Sequence, residues 1–237
     1  MSPELIPAPL GERRLETPQA AGVAGLAFVL LFVASTLLLR NHPSGESTAA
    51  EIQDFYMQED AGRMALVGVV LVPFAGIAFL WFIAVIRNLI GDREDRFFAT
   101  VFLGSGLLFV AMLFVAAGVG GAPLAAVKLQ DEPVPSPEAV AVVRSVAFAF
   151  LFVYAVRMAA VFMIVVSTIG VRLRIFPRWL VITGYAGALV LLLNVFYVEL
   201  LVLVFPAWVA AVSVFILRAR RSRATARSAV LSGRRGL

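Results

Sequence analysis

Arg157 is the residue of this sequence best placed to do chemistry, because it lies near the centre of an uncharged run, Val146 to Ile169. A guanidinium has five N–H donors and a permanent positive charge, which suit it to binding carboxylates and phosphates. An arginine at mid-membrane depth costs about 2.5 to 3.5 kcal/mol on insertion scales, so it needs a partner or a water-filled cavity. The position predicts either an anion or substrate site, or an ion pair that ties two helices together.

The candidate partners of Arg157 are Asn194 and Glu199, two polar residues near the middle of the last apolar run. Helical side chains lean toward the N-terminus of their helix, which directs the guanidinium toward the level predicted for these two residues. We therefore predict one intramembrane polar site formed by Arg157, Asn194, Glu199 and Tyr154. On a helical wheel the arginine belongs to a partly polar stripe, which we expect to face protein. The stripe consists of Phe150, Tyr154, Arg157, Ile164 and Thr168.

The composition excludes most catalytic chemistry. The chain has no cysteine, one histidine (His42) and one lysine (Lys128), so thiol catalysis, iron–sulfur clusters and zinc sites lack their ligands. An intramembrane serine nucleophile, for which Ser105 is the candidate, lacks a membrane-embedded histidine as its base. We predict no catalytic, metal-binding or cofactor-binding residues, and expect that the protein is not an enzyme.

The arginine and its partners must be positioned by membrane-spanning helices. Hydrophobic residues make up 61% of the 237 residues and charged residues 15%, against about 25% charged in soluble domains. A bilayer core is crossed by about 20 apolar residues, and four runs fit that length: Ala21 to Leu39, Met64 to Ile86, Phe97 to Ala117, and Val146 to Ile169. The fifth run, Leu180 to Leu217, is too long for one helix, so we divide it in two at Asn194 to Glu199.

The division gives an all-α, polytopic bundle of six transmembrane helices, and the distribution of basic residues supports it. With both termini cytoplasmic, 15 arginines lie inside, whereas 4 basic residues lie outside, as expected from the retention of positive charge in cytoplasmic loops. A single final crossing would instead export the tail arginines and place Glu199 at the centre of the hydrocarbon. The predicted organisation is a cytoplasmic segment 1–20, a six-helix domain 21–217 and a basic cytoplasmic tail 218–237.

Two signals predict helix starts outside the membrane. Thr48 and Glu51 form a capping-box pattern, and the apolar residues that follow, Ile52, Phe55 and Tyr56, share one face. We expect a short amphipathic helix lying at the outer interface. Ser136 before Pro137 predicts the start of the fourth crossing.

Small residues and basic residues predict two further contacts. The pairs Ala21 with Gly25, and Gly184 with Ala188, have the spacing at which membrane helices approach closely.

The arginine-rich tail predicts binding to anionic lipid at the cytoplasmic surface. Nucleic acid is not expected as a partner, because the tail has no aromatic residues for base stacking.

Two segments carry a resemblance to known proteins. They are PFAGIAFLWFIAVIRNLIGDREDRFFATVFLGSGLLF, from Pro73 to Phe109, and IFPRWLVITGYAGALVLLL, from Ile175 to Leu193. The sequence resembles six-helix integral membrane proteins of high-GC, actinobacterial-type bacteria, for which no activity is known. The resemblance implies a six-helix membrane fold and carries over no functional residues.

The sequence thus predicts a multi-pass protein of the bacterial inner membrane. Our leading hypothesis is a non-enzymatic accessory or interaction subunit, whose partner is another membrane protein or a second copy of the chain. The alternative is a small-molecule or ion transporter or channel that uses Arg157 as its binding site. A bundle without a polar cavity around Arg157 favours the accessory subunit, and a continuous polar cavity there favours the transporter or channel.

Overall fold

The computed structural model describes residues 17–39, 47–90, 96–193 and 199–233, and no strand occurs within these ranges. The helices are α1 Thr17–Leu39, α2 Ala49–Met57, α3 Glu59–Ile90, α4 Arg96–Leu129, α5 Pro137–Phe148, α6 Val156–Arg172, α7 Arg178–Leu193 and α8 Val204–Gly233. A π-helical segment, Ala149–Ala155, joins α5 to α6, and a 3-10 segment, Glu199–Leu203, leads into α8. The all-α prediction is confirmed for this part of the chain.

Five of the described helical segments are long and apolar enough to cross a membrane: Gly22–Leu39, Gly62–Asn88, Arg96–Leu129, Pro137–Arg172 and Leu200–Ala219. The remaining apolar helix, α7, has 16 residues and a length of about 24 Å, which is shorter than a bilayer core. The backbone of α8 continues as a helix to Gly233, so no helix end marks the predicted boundary between membrane domain and tail.

The helices pack in a ring around an aromatic centre. Helix α1 lies along α3, α3 along α4, α4 along the π-helical segment and α6, α6 along α7, and α8 contacts both α7 and α1. Five helices each contribute one phenylalanine to what we call the aromatic core: Phe28, Phe79, Phe109, Phe162 and Phe205. The ring of Phe79 lies 4.9 to 5.4 Å from the rings of the other four.

Both predicted helix starts are confirmed. The Thr48 side chain accepts from the Glu51 backbone N–H, and the Glu51 carboxylate accepts from the Thr48 N–H at 2.8 Å. The Ser136 hydroxyl accepts from the Ala139 N–H, with Pro137 as the first residue of α5.

Helix α2, predicted as a short amphipathic helix at the outer interface, packs its apolar face against other helices. Ile52 and Tyr56 are buried in a second apolar cluster with Ala65, Leu124 and Val140. These residues belong to the ends of α3, α4 and α5, so protein covers the apolar face of α2. Burial also raises the pKa of the Tyr56 phenol, which keeps it neutral.

The charged side chains separate the bundle into two ends. Among the described side chains all the carboxylates lie at one end, here called the acidic end: Glu51, Asp54, Glu59, Asp60, Asp131, Glu132 and Glu138. The opposite end, here called the basic end, carries Arg87, Arg96, Arg172, Arg174, Arg178 and Arg218. This asymmetry is the one expected of helices that cross a membrane in alternating directions with one side kept positive.

Small residues mark the close helix contacts. Gly25 lies against Ser213 and Phe82, and Gly184 lies against Ser167 and Trp208, while the side chain of Ala21 lies outside the described residues. Ala188, the other member of the second predicted pair, is fully buried. The prediction that these positions serve packing is supported at Gly25, Gly184 and Ala188.

We predict that Gly184→Ala lowers the free energy of unfolding by about 1 kcal/mol, the low end of the cost of overpacking. The added methyl group would overlap the Ser167 hydroxyl of α6 and lie 2.9 Å from Trp208 Nε1 of α8, so α7 must shift slightly away from both helices. Thermal unfolding in detergent measures the effect. Gly104→Ala is the matched control, because no atom lies within 4 Å of its new methyl group. Equal loss in both variants would contradict the packing account.

Candidate intramembrane site at Arg157

The site begins with a local change of helix type. Over Ala149–Ala155 the backbone forms a π-helix, and the N–H of Val156 donates to the carbonyl of Leu151, five residues back. Where a helix returns from five-residue to four-residue spacing, one carbonyl loses its usual N–H donor. Such π-helical insertions are rare and often lie at functional sites.

Arg157 supplies donors to this part of the helix. Its Nη1 donates to the carbonyl of Phe152 at 3.1 Å and to that of Val153 at 2.9 Å. The side chain is partly buried and folds back along its own helix toward the acidic end, the direction expected from the tilt of helical side chains. Two carbonyl dipoles thus stabilise the positive charge.

The aromatic residues of the π-helical segment lie on both sides of the wide turn. The Phe148 and Phe152 rings stack with centroids 4.2 Å apart, and the Phe150 and Tyr154 rings are 5.8 Å apart. Such aromatic contacts contribute about 0.5 to 1.5 kcal/mol each. They support the wide turn and therefore help to place its carbonyls near Arg157.

The structure places only some of the predicted site. Tyr154 lies on the same helix, three residues before the arginine, and is 53% exposed. Asn194 lies outside the described residues, and Glu199 begins the 3-10 segment with its side chain outside the described part. The predicted pairing of Arg157 with Asn194 or Glu199 therefore stays a prediction. Among the described residues only the two carbonyls accept from the guanidinium, which leaves Nε and Nη2 for an acceptor beyond them.

The described residues cover the stripe around Arg157 only in part, whereas the sequence predicts that the stripe faces protein. Phe150, Ile164 and Thr168 are partly exposed and Tyr154 is largely so. Thr168 Oγ1 and Tyr185 OH of α7 form a hydrogen bond of 2.7 Å at the exposed surface. Since Tyr185 extends the stripe onto α7, we call these residues together the polar face: Tyr154, Arg157, Thr168 and Tyr185.

The cavity that the described residues enclose beside the site is apolar. It has a volume of about 10 Å³ and lies between the π-helical segment, the end of α7 and the start of α8, lined by residues such as Leu151, Val156 and Phe205. A second cavity of the same size, at the basic end, is also apolar. Cavities of this size hold one water molecule at most. Within the described residues no group of three histidine or acidic side chains could hold a metal ion.

No family model matches the chain, and neither a curated protein nor a solved structure matches it. The resemblance to actinobacterial membrane proteins stays a prediction. The proposal for function therefore rests on the geometry of the polar face and of the aromatic core.

Sequence reasoning missed the π-helical segment and the bond between Thr168 and Tyr185. The run Phe148, Phe150, Phe152 and Tyr154, with an aromatic residue at every second position, is the only local signal of an unusual turn. Hydrophobic periodicity could not reveal it, because a π turn shifts the helical phase by one residue within an apolar run.

Proposed function

We propose that this chain is an integral membrane protein that acts as a non-enzymatic accessory subunit and binds another membrane protein through its polar face. The observation that carries the proposal is the exposure of Tyr154 and Tyr185 beside the partly buried Arg157. Lipid offers hydroxyl and guanidinium groups no hydrogen bonds, so polar side chains in membrane proteins commonly contact other helices. Arg157 keeps donors available there, and Tyr154 supplies a large amphipathic side chain of the kind common in binding hot spots.

The alternative, a transporter or channel, has less support. Conduction through the bundle would require a path past the aromatic core, whose five rings fill the space between the helices at 4.8 to 6.2 Å. The described cavities are small and apolar, so they provide no site for an ion or polar substrate.

We further propose that the chain crosses the bacterial inner membrane six times, with the basic end and both termini cytoplasmic. Helix α7 is the fifth crossing in this proposal and α8 the sixth, with thinning of the bilayer or the residues beyond Leu193 compensating for the short length of α7. The arginine-rich tail then lies at the cytoplasmic surface and binds anionic lipid.

The threading has a direct test, because the chain is free of cysteine. A single cysteine at Ser47 is expected to react with a membrane-impermeant maleimide in intact spheroplasts, and one at Ser228 only after lysis. Reaction of the Ser228 variant in intact spheroplasts would contradict six crossings with cytoplasmic termini.

Binding through the polar face predicts that a membrane protein co-purifies in mild detergent, and that Tyr154→Ala reduces its recovery about fivefold or more, as expected for a truncated hot spot. Quantitative mass spectrometry measures the recovery. Leu30→Ala is the control, since Leu30 is 71% exposed on α1, away from the polar face. Equal recovery with both variants would contradict docking at this face.

A further inference from the structure

We propose that the turn between α6 and α7 binds the phosphate headgroup of an anionic phospholipid through Arg172, Arg174 and Arg178, here called the arginine turn. All three side chains are exposed and fall within seven residues of sequence. No carboxylate lies among the described side chains of the basic end, and Asp92, Glu94 and Asp95, which precede α4, lie outside the described residues. The site is separate from the polar face and does not depend on it.

The backbone of the turn is fixed by hydrogen bonds. The N–H of Arg174 donates to the carbonyl of Val171 at 3.1 Å, and the N–H of Ile175 donates to that of Gly170 at 3.0 Å. These two bonds define a Schellman motif. The arginine turn is therefore a defined structure at the end of α6, which reduces the ordering cost of binding a ligand.

Arg174 occupies a position that usually belongs to glycine. Its φ is 52°, in the left-handed region, which most side chains avoid and which glycine adopts without strain. Strained backbone conformations cluster at functional sites. We assign Arg174 the role of an exposed cation that lies between Arg172 and Arg178 in sequence.

Arg172 is held in place by an aromatic ring. Its guanidinium carbon lies 4.4 Å from the centre of the Phe98 ring, at the start of α4. Stacking of this kind uses the face of the guanidinium and leaves the N–H groups at its edge able to donate. Those donors match the paired oxygens of a phosphate diester.

The surroundings of the arginine turn favour a lipid over a soluble anion. Trp179 follows Arg178 at the start of α7 and is 54% exposed, and tryptophan is enriched at the level of lipid headgroups. Ile175 and Phe176 give the turn partly exposed apolar side chains, and they also line the second small cavity. A phosphate at this place would therefore have apolar surface next to it, as the glycerol and upper acyl chain of a phospholipid require.

The test uses the full chain in neutral detergent, with thermal unfolding followed as lipid is added. Phosphatidylglycerol is expected to raise Tm more than phosphatidylcholine does. Arg174→Gly is expected to raise Tm in detergent alone, because glycine relieves the left-handed strain, and to weaken phosphatidylglycerol binding about fivefold. Arg63→Gln is the control for loss of charge, since Arg63 is exposed at the acidic end beside Glu59, and we expect it to keep the full lipid response.

Two results would overturn the proposal. The first is an unchanged response to phosphatidylglycerol in both Arg174→Gly and Arg178→Gln, which would show that the arginine turn is not the site. The second is an equal rise of Tm with glycerol phosphate at matched concentration, which would indicate a soluble phosphate ligand.

Discussion

Phe79→Ala is expected to lower the free energy of unfolding by about 3 kcal/mol, the low end of the range for removing a buried phenylalanine. The low end applies because lipid is as apolar as the protein interior, so the loss is one of packing and not of transfer from water. Phe79 is fully buried, and its ring contacts those of Phe28, Phe109, Phe162 and Phe205. Its removal therefore leaves a cavity shared by five helices.

The control for this substitution is Phe74→Ala on the same helix. Phe74 is 54% exposed on the outer surface, so we expect a change of less than about 0.5 kcal/mol. Reversible unfolding of both variants in mixed micelles measures the difference. Equal destabilisation would show that the aromatic core does not hold the bundle together.

Arg157→Ala is expected to lower the free energy of unfolding by about 2 kcal/mol. It removes a charged donor from the carbonyls of Phe152 and Val153, and hydrogen bonds to charged groups contribute about 1.5 to 3 kcal/mol in general. Polar contacts measured in membrane bundles seldom exceed about 1.7 kcal/mol each. We expect amide hydrogen exchange to rise locally at residues 149–157, because the π-helical segment loses its support.

A double-mutant cycle tests whether Arg157 pairs with Glu199 in addition to the carbonyls of Phe152 and Val153. If Glu199 is a second acceptor, Glu199→Gln combined with Arg157→Ala is expected to cost less than the sum of the two single changes. Strict additivity would rule out the pair of Arg157 and Glu199, and the two carbonyls would then be the acceptors that stabilise Arg157 within this chain. Unchanged stability of Arg157→Ala, together with loss of a transport activity in vesicles, would instead favour the transporter.

Much of the fold follows from local sequence signals. The capping residues Thr48 and Ser136 and the long apolar runs predict where helices begin and that they are helices, because these features depend on nearby residues alone. The pairing of Gly184 with Ser167 and Trp208, by contrast, depends on which helices become neighbours. Small-residue spacing predicts that a contact forms but does not say with what.

The sequence predicts less well which face of each helix turns toward the rest of the protein. In a soluble protein the apolar face of a helix turns inward, but a membrane helix is apolar on all sides, so the pattern carries less information. The stripe at Tyr154 is expected to face protein, whereas Tyr154 is 53% exposed and the other four residues of the stripe are only partly buried. For α2 the neighbours of the apolar face depend on tertiary packing, since Ile52 and Tyr56 are covered by α3, α4 and α5.

The central claim, that the polar face binds a partner membrane protein, is tested most directly by site-specific photocrosslinking in cells. A benzoylphenylalanine residue at position 154 is predicted to give one discrete adduct with another membrane protein, and the same residue at position 30 is predicted to give none. Adding Arg157→Ala to the position-154 chain should abolish the adduct while the protein remains folded by thermal unfolding. An adduct that persists without Arg157, or one formed equally from position 30, would contradict the claim.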